Sequence, residues 1–224
     1  PAIDRTEFPD EMNAPVKTVA VCGAGGTMGA GIALVSARAG FRTICYDVAR
    51  EGLDRSRDQA TVFFSKSVER GRMTEEARTQ ALKCLVPTVD LADIADADLV
   101  IEAVYEDLGV KRDLLRQLNV ICKEQTIFAS NTSTLSITEI ASGCGREDRV
   151  VGMHFCLPAQ LMKLIEISRG INTAPATFDT AWAWAQKASQ YPVETQDKPG
   201  FILNALLVPF NNDVIRAVEA GLAC

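Results

Sequence analysis

The one histidine of the chain, His154 in "VVGMHFCLP", closes a short apolar, strand-like run, where an imidazole can take up a proton near neutral pH. Glu166 in "LMKLIEISRG" lies between Ile165 and Ile167, and a carboxylate with such neighbours needs a cationic or hydrogen-bonding partner. If the two runs pair as strands, Glu166 reaches one ring nitrogen of His154, fixes the tautomer and stabilises the imidazolium. A third segment, "FASNTSTLSI", offers Ser130, Asn131 and Ser133 just past an apolar strand, at the end of the sheet where α/β proteins bind ligands. Together these residues suit proton abstraction from a hydroxyl. Each also has a plainer reading: a satisfied core histidine, a paired structural acid, and a serine-rich cap for the short helix that follows.

A second constellation precedes them. Residues 20–33 read "AVCGAGGTMGAGIA", a strand breaking into glycines and then into a helix, the arrangement that admits a pyrophosphate to a helix N-terminus. Counted from Gly23, the G-x-G-x-x-G spacing meets Gly25 and then Met28; counted from Ala24, it meets Gly26 and Gly29. We read Gly29 as the glycine that lets helix and strand pack closely. Gly26 is then an insertion in the turn that leaves the helix register from Thr27 unchanged. Asp47 ends the second strand in "RTICYD", where a carboxylate accepts hydrogen bonds from the adenine ribose and repels a 2′-phosphate. That position favours NAD over NADP; capping of the next helix is the other reading of Asp47.

Apolar periodicity places the elements that must carry these groups. Strands are expected over residues 18–22, 42–46, 99–103, 126–129, 150–154, 164–168 and 192–194. Helices are expected over 27–39, 50–70, 74–84, 110–122, 175–189 and 201–221. In the 110–122 helix, Val110, Leu114, Leu115, Leu118 and Ile121 form the expected buried stripe. Such alternation predicts an α/β, Rossmann-like, doubly wound and mostly parallel sheet. Residues 1–16 read as a flexible leader, 17–197 as a dinucleotide-binding domain, and 198–224 as the start of an incomplete helical domain. The last helix carries so much apolar surface that homo-oligomerisation through it is expected.

Composition narrows the partners. The 224 residues carry 23 Lys and Arg against 29 Asp and Glu, a net charge of −6, which disfavours nucleic acid. The seven cysteines never fall at C-x-x-C spacing, so they read as reduced buried thiols of a cytoplasmic protein, with no metal site. No run approaches the about 20 apolar residues of a membrane span.

The segments "GTMGAGIA", "DLVIEAVYEDLGVK", "SNTSTLSITEIA", "GMHF", "MKLIEISRG" and "KPGFILNALLVPF", in order, resemble the NAD-binding domain of the L-3-hydroxyacyl-coenzyme A dehydrogenase family. The resemblance implies NAD-dependent oxidation of a 3-hydroxyacyl-CoA to the 3-ketoacyl-CoA, of the fatty-acid β-oxidation type. By the same resemblance His154 is the base, Glu166 its partner, and Ser133 and Asn204 hold the substrate oxygen and nicotinamide end. Glu106 and Lys111 match residues near the nicotinamide ribose, and Gly23, Gly25, Gly26, Thr27, Met28, Gly29 and Asp47 line the rest of the cofactor site. The chain departs from the family at Leu157, where an asparagine contacts the nicotinamide end. It also departs at Phe63 and Arg70, near the coenzyme A moiety, and at the inserted Gly26. Those departures keep two alternatives in view: a dehydrogenase of another 3-hydroxy acid, its pocket reshaped by Leu157, Phe63 and Gln160, and an inactive nucleotide-binding or scaffold domain.

Overall fold

The computed structural model describes residues 16–222, so the expected leader lies outside the described residues except for Val16. Short runs rich in β-branched residues form eight strands: β1 Thr18–Cys22, β2 Arg42–Tyr46, β3 Leu85–Thr88, β4 Leu99–Glu102, β5 Ile127–Ser130, β6 Val150–Phe155, β7 Leu164–Arg169 and β8 Tyr191–Gln196. Between and after them lie α1 Thr27–Arg38, α2 Arg50–Glu69, α3 Glu75–Cys84, α4 Leu108–Ile121, α5 Ile137–Ala141, α6 Pro175–Lys187 and α7 Leu203–Glu219.

The strands make one sheet in the order β3-β2-β1-β4-β5-β6-β7-β8. Every pairing is parallel except β6 with β7, which is antiparallel. The order reverses between β1 and β4, and a crevice opens beyond the carboxyl ends of strands at such a switch point. Alternate residues of each inner strand serve opposite layers, as a sheet buried on both faces requires. Val19 and Val21 pack with Ile32, Val35 and Trp184 under α1 and α6, while Ala20 and Cys22 join Leu115, Leu118, Phe128 and Ile140 under α4 and α5.

Three expectations are corrected. Strand β3 is not among the expected strands, because "LVPT" is short and contains Pro87; it forms the sheet edge, pairing with β2 alone. On α4 the buried face is Lys111, Leu114, Leu115 and Leu118, whereas Val110 is exposed. The helix is rotated from the expected stripe because an ion pair satisfies Lys111 inside the protein. Helix α7 begins at Leu203 instead of 201, because Gly200 and Phe201 both adopt left-handed backbone, with φ of 82° and 46°. Among the described residues no helix is long and apolar enough to cross a membrane.

Candidate active site

The turn from β1 into α1 is shaped by its glycines. Gly23 has φ of 84°, and a Cβ there would come within 2.6 Å of the Ala103 carbonyl oxygen, so β1 and the end of β4 touch at the switch point. A Cβ on Gly29 would overlap the Gly23 carbonyl, which makes Gly29 the close-packing glycine between helix and turn. Gly26 has ordinary extended backbone, is the N-cap of α1 and has no close neighbour; Thr27 starts the helix exposed, and Met28 packs partly into the core. The first turn of α1 has no side-chain cap and no acidic residue. Its amides therefore suit an anionic group, and the fit of a dinucleotide pyrophosphate rests on this cradle.

Asp47 stands at the edge of the same loop. Its Oδ2 accepts from Gly25 N–H at 2.9 Å and its Oδ1 from Ala49 N–H at 3.1 Å, just before α2. A Cβ on Gly25 would lie 2.8 Å from Oδ2, so the glycine admits the carboxylate. Asp47 thus organises both the loop and the helix start.

Across the switch point, strands β6 and β7 set His154 directly opposite Glu166. His154 Nδ1 lies 2.8 Å from Glu166 Oε2, and Nε2 lies 3.0 Å from Ser133 Oγ. Both members of the pair are almost fully buried, at 5% and 2% exposure. Glu166 Oε1 accepts from the Ile202 and Leu203 amides, each at 2.9 Å. Because the carboxylate accepts at Nδ1, the proton of a neutral imidazole sits there and Nε2 keeps its lone pair on the Ser133 side.

The segment after β5 divides its labour. Ser130 is buried and bonds Glu102, while Asn131 Oδ1 accepts from Phe155 N–H at 2.9 Å and ties the segment to β6. Only Ser133 of the three reaches the imidazole. Its backbone is held by Glu106, whose Oε1 accepts from Ser133 N–H at 2.9 Å, from Thr132 Oγ1 at 2.5 Å and from Thr134 Oγ1 at 3.1 Å. Lys111 lies beneath, with Nζ 2.9 Å from Glu102 Oε2 and 3.2 Å from Glu106 Oε2. It is buried and turned inward, so it touches the site through Glu106.

The charges follow this packing. Burial pushes the Glu102 carboxyl above its ordinary value despite Lys111 and the hydrogen bonds from Ser130 and Val104. At Glu106 burial also raises the carboxyl, but the Thr132 and Ser133 hydrogen bonds and the Lys111 charge outweigh it and hold the group below the usual range.

Asn204 occupies the first turn of α7, its N–H donating to Gly200 O, while Gly200 N–H donates to the Ser133 carbonyl at 3.1 Å. Leu157 is exposed on the loop after β6. Gln160 and Phe63 are used elsewhere: Gln160 lies against Gly31 of α1, and the Phe63 ring packs on Phe64. Two residues at the site were missed from sequence, Glu102 and Phe201. Glu102 carried a usable signal, an acid between Ile101 and Ala103 in the apolar run "LVIEAV", much as Glu166 lies between Ile165 and Ile167. Among the described residues no group of three acidic, histidine or cysteine side chains could hold a metal ion.

The family described as 3-hydroxyacyl-CoA dehydrogenase, NAD binding domain, matches residues 18–198. The chain is 41% identical over 208 residues to the 3-hydroxyadipyl-CoA dehydrogenase of Escherichia coli, covering 93% of this chain and 44% of that protein. It is 40% identical over 198 residues to a probable 3-hydroxybutyryl-CoA dehydrogenase of Deinococcus radiodurans, covering 88% of this chain and 71% of that one. The crystal structure of 3-hydroxybutyryl-CoA dehydrogenase from Escherichia coli superposes with a TM-score of 0.89 at 40% identity, over 94% of this chain and 44% of its own. The chain thus spans less than half the length of both Escherichia coli relatives.

Proposed function

The chain belongs to the 3-hydroxyacyl-CoA dehydrogenase family and folds as its NAD-binding domain, and from that premise we propose that it oxidises an L-3-hydroxyacyl-CoA to the 3-ketoacyl-CoA. The observation that carries the reading is His154, held between Glu166 and Ser133 at the carboxyl ends of the strands. Nε2, unprotonated and facing Ser133 Oγ, takes the proton of the substrate's 3-hydroxyl. Ser133 Oγ holds the substrate oxygen beside Nε2, and Asn204, in the first turn of α7, would help hold the substrate oxygen and nicotinamide end. Glu166 stabilises the imidazolium so formed, and two backbone amides on its other oxygen keep the carboxylate from rotating. When bound, NAD supplies the acceptor for the hydride that leaves the same carbon. Gly23, Gly25, Gly26, Thr27, Met28 and Gly29 would cradle its pyrophosphate and Asp47 its adenine ribose. Glu106 would meet the nicotinamide ribose, with Lys111 bracing it from below.

Two coarser features extend the reading. The exposed apolar residues of α7, among them Leu206, Phe210, Ile215 and Val218, support homo-oligomerisation through that helix. The six described cysteines are all free, which supports a reducing compartment such as the cytoplasm.

Reduction of acetoacetyl-CoA, followed by NADH absorbance, tests the activity. Turnover that His154→Gln lowers by about 10²–10⁴-fold is expected. NADH binding without turnover would favour a nucleotide-binding module, and turnover of a free 3-keto acid but not its thioester would move the substrate to another 3-hydroxy acid.

A further inference from the structure

One turn touches every member of the candidate proton-transfer group. Gly200 N–H bonds the Ser133 carbonyl at 3.1 Å, and the Ile202 and Leu203 amides bond Glu166 Oε1. Between them Phe201 lays its ring against His154, with centroids 5.4 Å apart and planes tilted by 37°. The ring is buried at 7% exposure. Phe201 also holds φ at 46°, a left-handed conformation that glycine adopts freely and phenylalanine only under strain. A side chain kept in such a conformation needs surroundings that over-determine it, and here those surroundings are the imidazole and the carboxylate.

The geometry has two effects. The left-handed backbone aims two consecutive amides at one oxygen of Glu166, which orients the other oxygen towards Nδ1. The aromatic ring closes one side of the imidazole, and with Ser133 at Nε2 it blocks the ring flip that would turn Cδ2 towards Glu166 and break the Nδ1 bond that selects the tautomer. We propose that Phe201 is a positioning residue that holds His154 in the tautomer protonated at Nδ1, with Nε2 left unprotonated. The inference rests on the reading of His154 as the base, but its test does not depend on turnover.

His154 is the only histidine of the chain, so a long-range proton–nitrogen NMR spectrum of the 224-residue protein reports that ring alone. In the unaltered protein above the titration of the ring, we expect one neutral species, protonated at Nδ1, with ring protons shifted by the neighbouring aromatic. Phe201→Gly keeps the left-handed backbone and removes only the ring. It should let the second tautomer grow, drawing the two nitrogen shifts together, and lower kcat by about 10-fold or more with NADH affinity unchanged. Wild-type nitrogen shifts and wild-type kcat in a folded Phe201→Gly variant would overturn the proposal. If that variant does not fold, the spectrum of the unaltered protein decides: two populated tautomers there would overturn it equally. Full turnover by His154→Gln would instead remove the catalytic reading of the dyad, while the spectra still judge Phe201.

Discussion

His154 and Glu166 are direct partners across the antiparallel pairing of β6 and β7, with Nδ1 and Oε2 2.8 Å apart. Both stand on the paired strands themselves, so the separation is set by strand register and is preorganised. His154→Gln should therefore lower kcat by about 10²–10⁴-fold with little change in NADH affinity, and Glu166→Gln should act mainly on kcat as well. Steady-state kinetics alongside calorimetric NADH titration checks both; a loss confined to KM would contradict the assigned roles.

The glycines of the first turn are unequal. Gly29 cannot carry a Cβ without overlapping the Gly23 carbonyl, whereas a Cβ on Gly26 would meet nothing closer than 3.4 Å. Gly29→Ala should cost about 1–3 kcal/mol of stability through overpacking, with weakened NADH binding. Gly26→Ala should cost less than about 1 kcal/mol, the price of a poorer N-cap. Denaturant unfolding of the two variants, side by side, gives the comparison, and equal losses would show that the loop is packed otherwise.

Asp47 places a carboxylate at the end of β2 beside the glycine loop. A 2′-phosphate there would face that negative charge, so NAD(H) should bind more tightly than NADP(H). Calorimetric titration with both cofactors decides the matter, and equal or tighter NADP(H) binding would remove the argument.

Asp197, just past β8, bonds Ser136 Oγ, the Ile137 and Thr138 amides and Thr138 Oγ1, and so anchors the start of α5. Burial raises its carboxyl, but those hydrogen bonds outweigh it and hold the group below the usual range. A depressed folded-state value means that the stabilisation is complete above the unfolded-chain value of about 3.9 and is lost as pH falls through the folded value. Asp197→Ala should lower stability at pH 7 by about 1 kcal/mol from the lost capping bonds, and its unfolding curve should approach that of the wild type in acid. A gap that stays constant from pH 7 to strong acid would contradict this account.

The exposed face of α7 should draw copies of the chain together, because large contiguous apolar patches are uncommon on monomers. Light scattering at tens of micromolar should report a species larger than one chain. A clean monomer would count against association through this helix.

Much of the fold was legible in the residues themselves. Period-two and helical apolar patterns located seven of the eight strands, because burial on both faces of a parallel sheet leaves a continuous apolar run that few other structures tolerate. Gly29 was identifiable as the close-packing glycine, since α1 starts at Thr27 and the register of a helix fixes which residue faces its own turn. His154 and Glu166 were each recognisable as polar groups in apolar surroundings. Their pairing depends on β6 and β7 running antiparallel with one register, which no local pattern encodes. Lys111 shows the same limit: the resemblance to the family puts it near the nicotinamide ribose, and nothing local says which way its ammonium points. Only the packing of α4 over the end of β4 turns its ammonium inward to Glu102 and Glu106. Phe201 was invisible for a further reason. Its left-handed backbone and its contact with the imidazole arise where a turn meets a strand pair distant in sequence, and a phenylalanine before an apolar helix reads as part of that helix. Local sequence determines which segments are strands and helices through short-range sterics and burial, whereas the distances that make a proton relay are set by how those segments meet, and only the folded chain decides that.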